Sequence, residues 1–186
     1  MDAVSGISFL DDQSLVRKAQ DGDRSAFGEL CDRHYRLAFQ CAWRRVGNRA
    51  DAEDVAQDAL IRMGQGLKTL RDAALFRGWL LRIVINAVTD LHRRRKSERL
   101  GVAAFVAEGD TVWFDDSEDT QDRDAGLWRA VRLLPERQRE AVLLVYADQM
   151  NHREAAEALG CAEATVSWQL HEARKRLKTL LSEDAQ

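Results

Sequence analysis

The stretch NHREAAEALGCAEATVSWQLHEARKRLK, residues 151–178, decides how the chain is read. Asn151 followed by Glu154 three residues on is a capping box, in which side chain and backbone satisfy each other at a helix start. Ala155, Ala156 and Leu159 then share one face. Gly160 supplies the positive φ of a tight turn, which costs a residue without Cβ nothing. Beyond it Val166, Leu170, Ala173 and Leu177 keep the helical period. A short helix, a glycine turn and a longer helix ending in bases is the helix-turn-helix plan. Small Ala155 and Ala156 let the two helices approach closely. The outward side chains of the second helix are Glu163, Ala164, Ser167, Trp168, His171, Arg174 and Lys175. Arg174, Lys175, Arg176 and Lys178 suit phosphates, while Ser167 and His171 suit base edges. A plain helical hairpin with a solvated charged face is the alternative.

Towards the N-terminus, Leu127, Val131 and Leu134 form a helix that ends at Pro135, and Arg137 to Ala147 form the next. These make a small domain over residues 124–181. Before it lies an acidic segment. Glu108 to Asp124 hold eight acids against the single base Arg123, a charge of −7 within a chain whose total is −3. The rest of the chain therefore carries +4, so the mean charge hides an acidic linker, placed at residues 98–123. Trp113-Phe114 is its lone apolar island.

Residues 13–97 read as a first domain of four helices. Leu15, Val16 and Ala19 make a stripe that stops at Asp21-Gly22-Asp23, and Ser25 is the cap expected for the next helix. That helix runs to Val46 before Gly47-Asn48. A third spans about Ala50 to Gly64, with Val55, Ala56, Ala59, Leu60 and Met63 on one side and Asp51, Glu53, Asp54, Gln57 and Asp58 on the other. The fourth spans about Ala73 to Arg95, with Phe76, Leu80, Ile83, Val84, Ala87 and Leu91 inward and Arg93-Arg94-Arg95-Lys96 at its far end. Apolar residues are 45% of the chain, enough for two cores, and there is a single proline. With no period-two run of β-branched residues, the fold class is all-α: two small helical domains on an acidic tether.

Several classes of function lack support. No stretch approaches the roughly 20 apolar residues of a membrane span, and the N-terminus does not read as a signal peptide. Three cysteines without a CxxC pair suit a reducing compartment, hence the cytoplasm. Cys31, His34 and Cys41 fit no zinc spacing. Neither a phosphate-binding glycine loop nor a hydrolase motif occurs, so no enzyme, metal or cofactor is implied.

Three segments in one order resemble a known family. DAEDVAQDALIRM (51–63) resembles the polymerase-binding segment of bacterial sigma factors. FRGWLLRIVINAVTDLHRRRK (76–96) resembles their −10 promoter segment, and residues 133–178 resemble their −35-reading domain. The short linker without an intervening domain resembles the extracytoplasmic-function group of the sigma-70 family. This resemblance implies a sigma factor that binds core RNA polymerase and directs it to promoter DNA, held in check by an anti-sigma factor. It implies polymerase contacts at Asp51, Glu53, Asp54, Gln57, Asp58 and Leu60. It implies −10 contacts at Trp79, Arg82, Asn86, Asp90, His92, Arg93, Arg94, Arg95 and Lys96, with the loop from about Gly66 to Leu75 shaping a pocket for an unstacked base. It implies −35 contacts at Arg153, Thr165, Ser167, Trp168, His171, Arg174 and Lys175. By the same resemblance the linker passes near the polymerase cleft and RNA exit path, where its charge would mimic RNA; a solvated spacer is the plainer reading.

Two readings stay open beside these. Trp79 fits a core aromatic as well as a DNA contact, and the acidic face of 51–58 fits simple solvation. The sequence also departs from the family pattern. Trp168 and Glu172 stand where bases are expected, and Ala162 offers no capping oxygen before the last helix. An ordinary helix-turn-helix repressor or activator, which predicts dimers and palindromic sites, and a protein–protein adaptor are the rival functions.

Overall fold

The computed structural model describes residues 11–102 and 122–183. Among these every regular element is helical. The chain divides into two compact units, Met1–Phe114 and Asp115–Gln186. The acidic linker with Trp113-Phe114 lies largely outside the described residues.

In the first unit, α1 is Asp12–Gln20, α2 Arg24–Val46, α3 Arg49–Gly66 and α4 Phe76–Val102, with 3₁₀ turns at Leu67–Thr69 and Ala73–Leu75. Asp11 caps α1 by accepting from the Ser14 amide at 2.7 Å. Asp23, rather than the expected Ser25, caps α2. Its carboxylate accepts from the Ser25 and Ala26 amides at 2.8 and 3.1 Å, which makes Ser25 the second residue of the helix. Asn48 caps α3 through the Asp51 amide at 2.9 Å. α4 continues to Val102, five residues into the stretch read as linker.

Leu15, Val16, Ala26, Leu30, Met63, Leu67, Ala73, Phe76 and Leu80 form one buried cluster drawn from all four helices and both 3₁₀ turns. The inward stripe of α4 is broader than its period predicted, since Leu81, Ile85 and Val88 are buried as well. Such breadth is what a helix packed among several neighbours requires.

In the second unit, α5 is Asp122–Arg132, α6 Glu136–Val142, α7 His152–Leu159 and α8 Glu163–Glu183. α6 runs into a π-helical turn at Leu143–Ala147, closed by the Asp148 amide on the Leu143 carbonyl at 2.8 Å. The chain then turns through Gln149, at φ 54°. Both halves of the Asn151–Glu154 capping box form, at 2.9 Å each, and Gly160 is left-handed at φ 64°. Val131, Leu134, Leu144, Met150, Ala155, Ala156, Val166, Leu170 and Ala173 are buried, whereas Leu127, expected on the inner face, is 41% exposed.

Phe76 is 1% exposed at the junction of α4 with the core, and the His34 ring meets its edge at 5.0 Å. Phe76→Ala should destabilise the first unit by about 3–5 kcal/mol. In urea unfolding, the signal of the second unit should keep its midpoint.

Candidate polymerase and promoter interfaces

The far-reaching residue of α3 is one the sequence did not single out. Arg62 joins Asp58 at 2.8 Å on its own helix and Asp90 at 3.1 Å on α4. Asp90 also holds Arg93 at 2.9 Å. Nearer the start of α3, Asp51 pairs with Arg95 of α4 at 2.5 Å and with the Asn48 side chain. The two helices are thus laced by charge along their length. The only sequence signal for Arg62 is its i+4 spacing from Asp58.

This lacing sorts the expected polymerase contacts. Asp51 and Asp58 are engaged internally, and Glu53 is paired with Arg49 at 2.8 Å. Asp54 and Gln57 are exposed and make no ion pair or hydrogen bond among the described residues. Leu60 is half-buried and, with Phe27, Cys31, Ile61, Gly64 and Gln65, lines a shallow groove of about 390 Å³ between α2 and α3. Ile61, 61% exposed, rises beside it. Burial, and secondarily Asp32, pushes the Cys31 thiol above its ordinary range.

On α4 the burial of Phe76, Leu80 and Val84 fixes the helix's rotation, and the rotation divides the expected −10 contacts. Trp79, Arg82, Asn86, Asp90 and Arg93 follow one another at helical spacings of 3 and 4 and form one stripe. Arg82, Asn86 and Arg93 are exposed on it. Arg95, two and a half turns beyond Asn86, faces the other way and reaches α3. His92 and Arg94 are exposed on the flanks; Lys96 is on the helix, its side chain outside the described residues. Trp79 is half-buried and packs on the core, its ring beside Phe76 at 6.3 Å. A Cβ on Gly66 would come within 3.3 Å of that ring, so the glycine lets the indole seat.

The loop before α4 is held from α1. The Gln20 amide donates to the carbonyls of Leu67 and Leu70, at 2.9 and 2.8 Å. Asp72 accepts from the Ala74 amide at 2.9 Å, leaving Leu75 51% exposed beside the start of α4. Nothing in the local sequence announces Gln20, because its partners lie 47 and 50 residues away.

In the second unit α8 presents its outward face with two side chains secured from outside the helix. Arg174 donates Nε to the Tyr146 hydroxyl at 3.1 Å, joins it again through Nη2, and lies 5.8 Å from the tyrosine ring centre. The His152 ring hydrogen-bonds the Ser167 hydroxyl at 3.0 Å. Lys175 pairs with Glu172 at 3.2 Å, so the acid that would repel phosphate has its own counter-charge. Arg153 pairs with Glu157 at 3.4 Å, Thr165 is half-buried, and His171 is exposed. Trp168 is 57% exposed.

Comparison with known proteins matches this layout. Residues 30–98 fit the family model "Sigma-70 region 2", and residues 125–177 fit "Sigma-70, region 4". The chain belongs to the sigma-70 family.

It is a sigma factor of the extracytoplasmic-function group, which binds core RNA polymerase and directs promoter-specific initiation of transcription. It is 32% identical to the RNA polymerase sigma factor NccH of Alcaligenes xylosoxydans xylosoxydans, over 91% of this chain and 94% of that protein. It is 34% identical to the ECF RNA polymerase sigma factor SigM of Mycobacterium tuberculosis, over 91% of this chain and 84% of that one. Among solved structures, CnrH in complex with the cytosolic domain of CnrY matches with a TM-score of 0.68 at 29% identity, covering 93% of this chain and 98% of CnrH. Among the described residues of this sigma factor, no helix is long and apolar enough to cross a membrane.

Two outcomes test the geometry. Arg62→Gln should cost under about 1 kcal/mol in the unfolding of the first unit, because Arg62 and both its partners are partly solvated. Cys31, with its thiol pushed up, holds less thiolate than a free cysteine at pH 8. Its iodoacetamide alkylation, followed by peptide mass spectrometry, should be slower than that of free cysteine and should quicken as pH rises.

Proposed function

We propose a division of labour among the surfaces of this sigma factor. The 13–97 domain docks on core polymerase through Asp51, Glu53, Asp54, Gln57, Asp58 and Leu60. It receives the melted −10 strand on α4 through Trp79, Arg82, Asn86, Asp90, His92, Arg93, Arg94, Arg95 and Lys96. The 124–181 domain meets the −35 duplex through Arg153, Thr165, Ser167, Trp168, His171, Arg174 and Lys175, and the 98–123 linker spans the two. The observation that carries this reading is the exposed stripe Arg82–Asn86–Arg93, which continues from the Gln20-held loop along a helix whose other side is core. Bases on such a track supply salt-dependent, sequence-neutral affinity. Asn86 and the loop supply selectivity for an unstacked base.

Within this scheme the ion pairs set roles. Asp90 holds Arg62 and Arg93, which makes it a positioning residue for the track. Trp79, packed on Phe76 and Gly66, props the loop end of the same stripe. The chain carries out no chemistry; RNA synthesis belongs to the polymerase. It works in the cytoplasm, where its partners are. The likeness to CnrH, solved with the cytosolic domain of a second protein, supports control by a bound polypeptide here, an anti-sigma factor. Binding of such a partner competes with polymerase and shifts the population between silent and active forms.

Run-off transcription with purified core polymerase tests the scheme. The protein should confer promoter-specific transcripts, and Asn86→Ala should lower their yield at least tenfold while leaving binding to core polymerase intact. Because the −10 surface acts on unpaired DNA, the isolated protein should bind promoter duplex only weakly. Tight, specific duplex binding without polymerase, or a dimer on palindromic sites, would sink the proposal.

A further inference from the structure

The outward face of α8 has a chemistry that narrows what it reads. Resting on the assignment of the 124–181 domain to the −35 duplex, we infer that Trp168 reads thymine, by packing its indole on the C5-methyl group in the major groove.

The argument starts from what the helix lacks. From Glu163 to Ala173 there is no arginine or lysine, and the first base is Arg174. A recognition helix meets base edges with its N-terminal residues. The side chains that read guanine by paired donors are therefore missing from the part of α8 that enters the groove. Arg174 lies further along and is drawn to Tyr146. Ser167, the small polar candidate, shares its hydroxyl with His152.

What remains beside the exposed imidazole of His171 is Trp168. It stands on the side of α8 opposite Val166, Leu170 and Ala173, which are buried. Ala164, one turn before it, is exposed and adds only a methyl group. The Glu172–Lys175 pair, one and two turns after it, cancels its own charge. The result is an apolar ring at the centre of the face, flanked by a methyl and a neutralised pair. A large apolar side chain left 57% in water by the fold has its burial still to gain from a partner. In the major groove of DNA the one apolar group that distinguishes a base is the thymine methyl. Indole has no lone-pair acceptor and a single N–H donor at its edge, so its broad face offers the amino groups of adenine or cytosine only a weak N–H···π contact.

The test uses holoenzyme reconstituted from core polymerase and the full chain. Promoters transcribed by it are first recovered from a library randomised over the −35 region. Each thymine of the recovered element is then replaced by deoxyuridine, which removes the methyl alone. At one or two positions the loss should lower run-off transcription about three- to fivefold, the scale of one buried methyl. Trp168→Ala, at an exposed site and with an unchanged melting curve, should transcribe thymine and deoxyuridine templates equally. Three results overturn the inference: a recovered element without thymine, a wild-type holoenzyme indifferent to every methyl, or a Trp168→Ala holoenzyme that keeps the preference. Holoenzyme that transcribes well but ignores the methyl removes this inference alone. Failure to obtain any promoter-specific transcript removes the assignment of the domain along with it.

Discussion

Burial of Phe76, Leu80, Leu81, Val84 and Val88 locks the rotation of α4 about its own axis, and the exposed stripe proposed to meet nucleic acid depends on that rotation. A helix has one angular setting at which a given apolar stripe is dry. Once α1, α2 and α3 have covered that stripe, Arg82, Asn86 and Arg93 have nowhere to face but water. Each buried aliphatic or aromatic side chain contributes roughly 1.5–3 kcal/mol. The surface ion pairs between α3 and α4 contribute about 0–1 kcal/mol each. Packing therefore sets the angle, and the ion pairs from Asp51 to Arg95 and from Arg62 to Asp90 trim side chains within it.

The same logic, with different anchors, governs α8. Val166, Leu170 and Ala173 turn the helix inward, and Trp168 comes out opposite them. Here the supports are local to the small domain. Tyr146 reaches Arg174 from the π-helical turn, and His152 reaches Ser167 from the first turn of α7. A π turn inserts one residue per turn relative to an α-helix and re-aims the side chains it carries. It brings an exposed tyrosine, which a sequence reading would place at a helix end, against the arginine of another helix.

Charge is distributed so that neither surface is uniform. Asp51 of α3 takes its partner Arg95 from α4, and Asp90 of α4 takes its partner Arg62 from α3. Glu172 of α8 is matched by Lys175 of the same helix. Such internal pairing lowers the field each surface projects into water, and among the described residues Asp54, Gln57 and Arg82 stay outside it.

The all-helical class, the capping box at Asn151, the left-handed Gly160 and the apolar stripes of α4 and α8 were legible in the sequence, because each depends on neighbours within about a turn of helix. Ser25 was misread as a cap for an equally local reason: two oxygen-bearing residues lie next to the helix start, and the backbone chose Asp23. Gln20 on Leu67 and Leu70, Arg62 between two helices, Arg95 turned away from the rest of its cluster, and Tyr146 on Arg174 were not legible. These partners are distant in sequence. A composition of bases and acids does not say which will meet. That was decided only when burial had fixed the rotation of each helix and brought the distant side chains within reach.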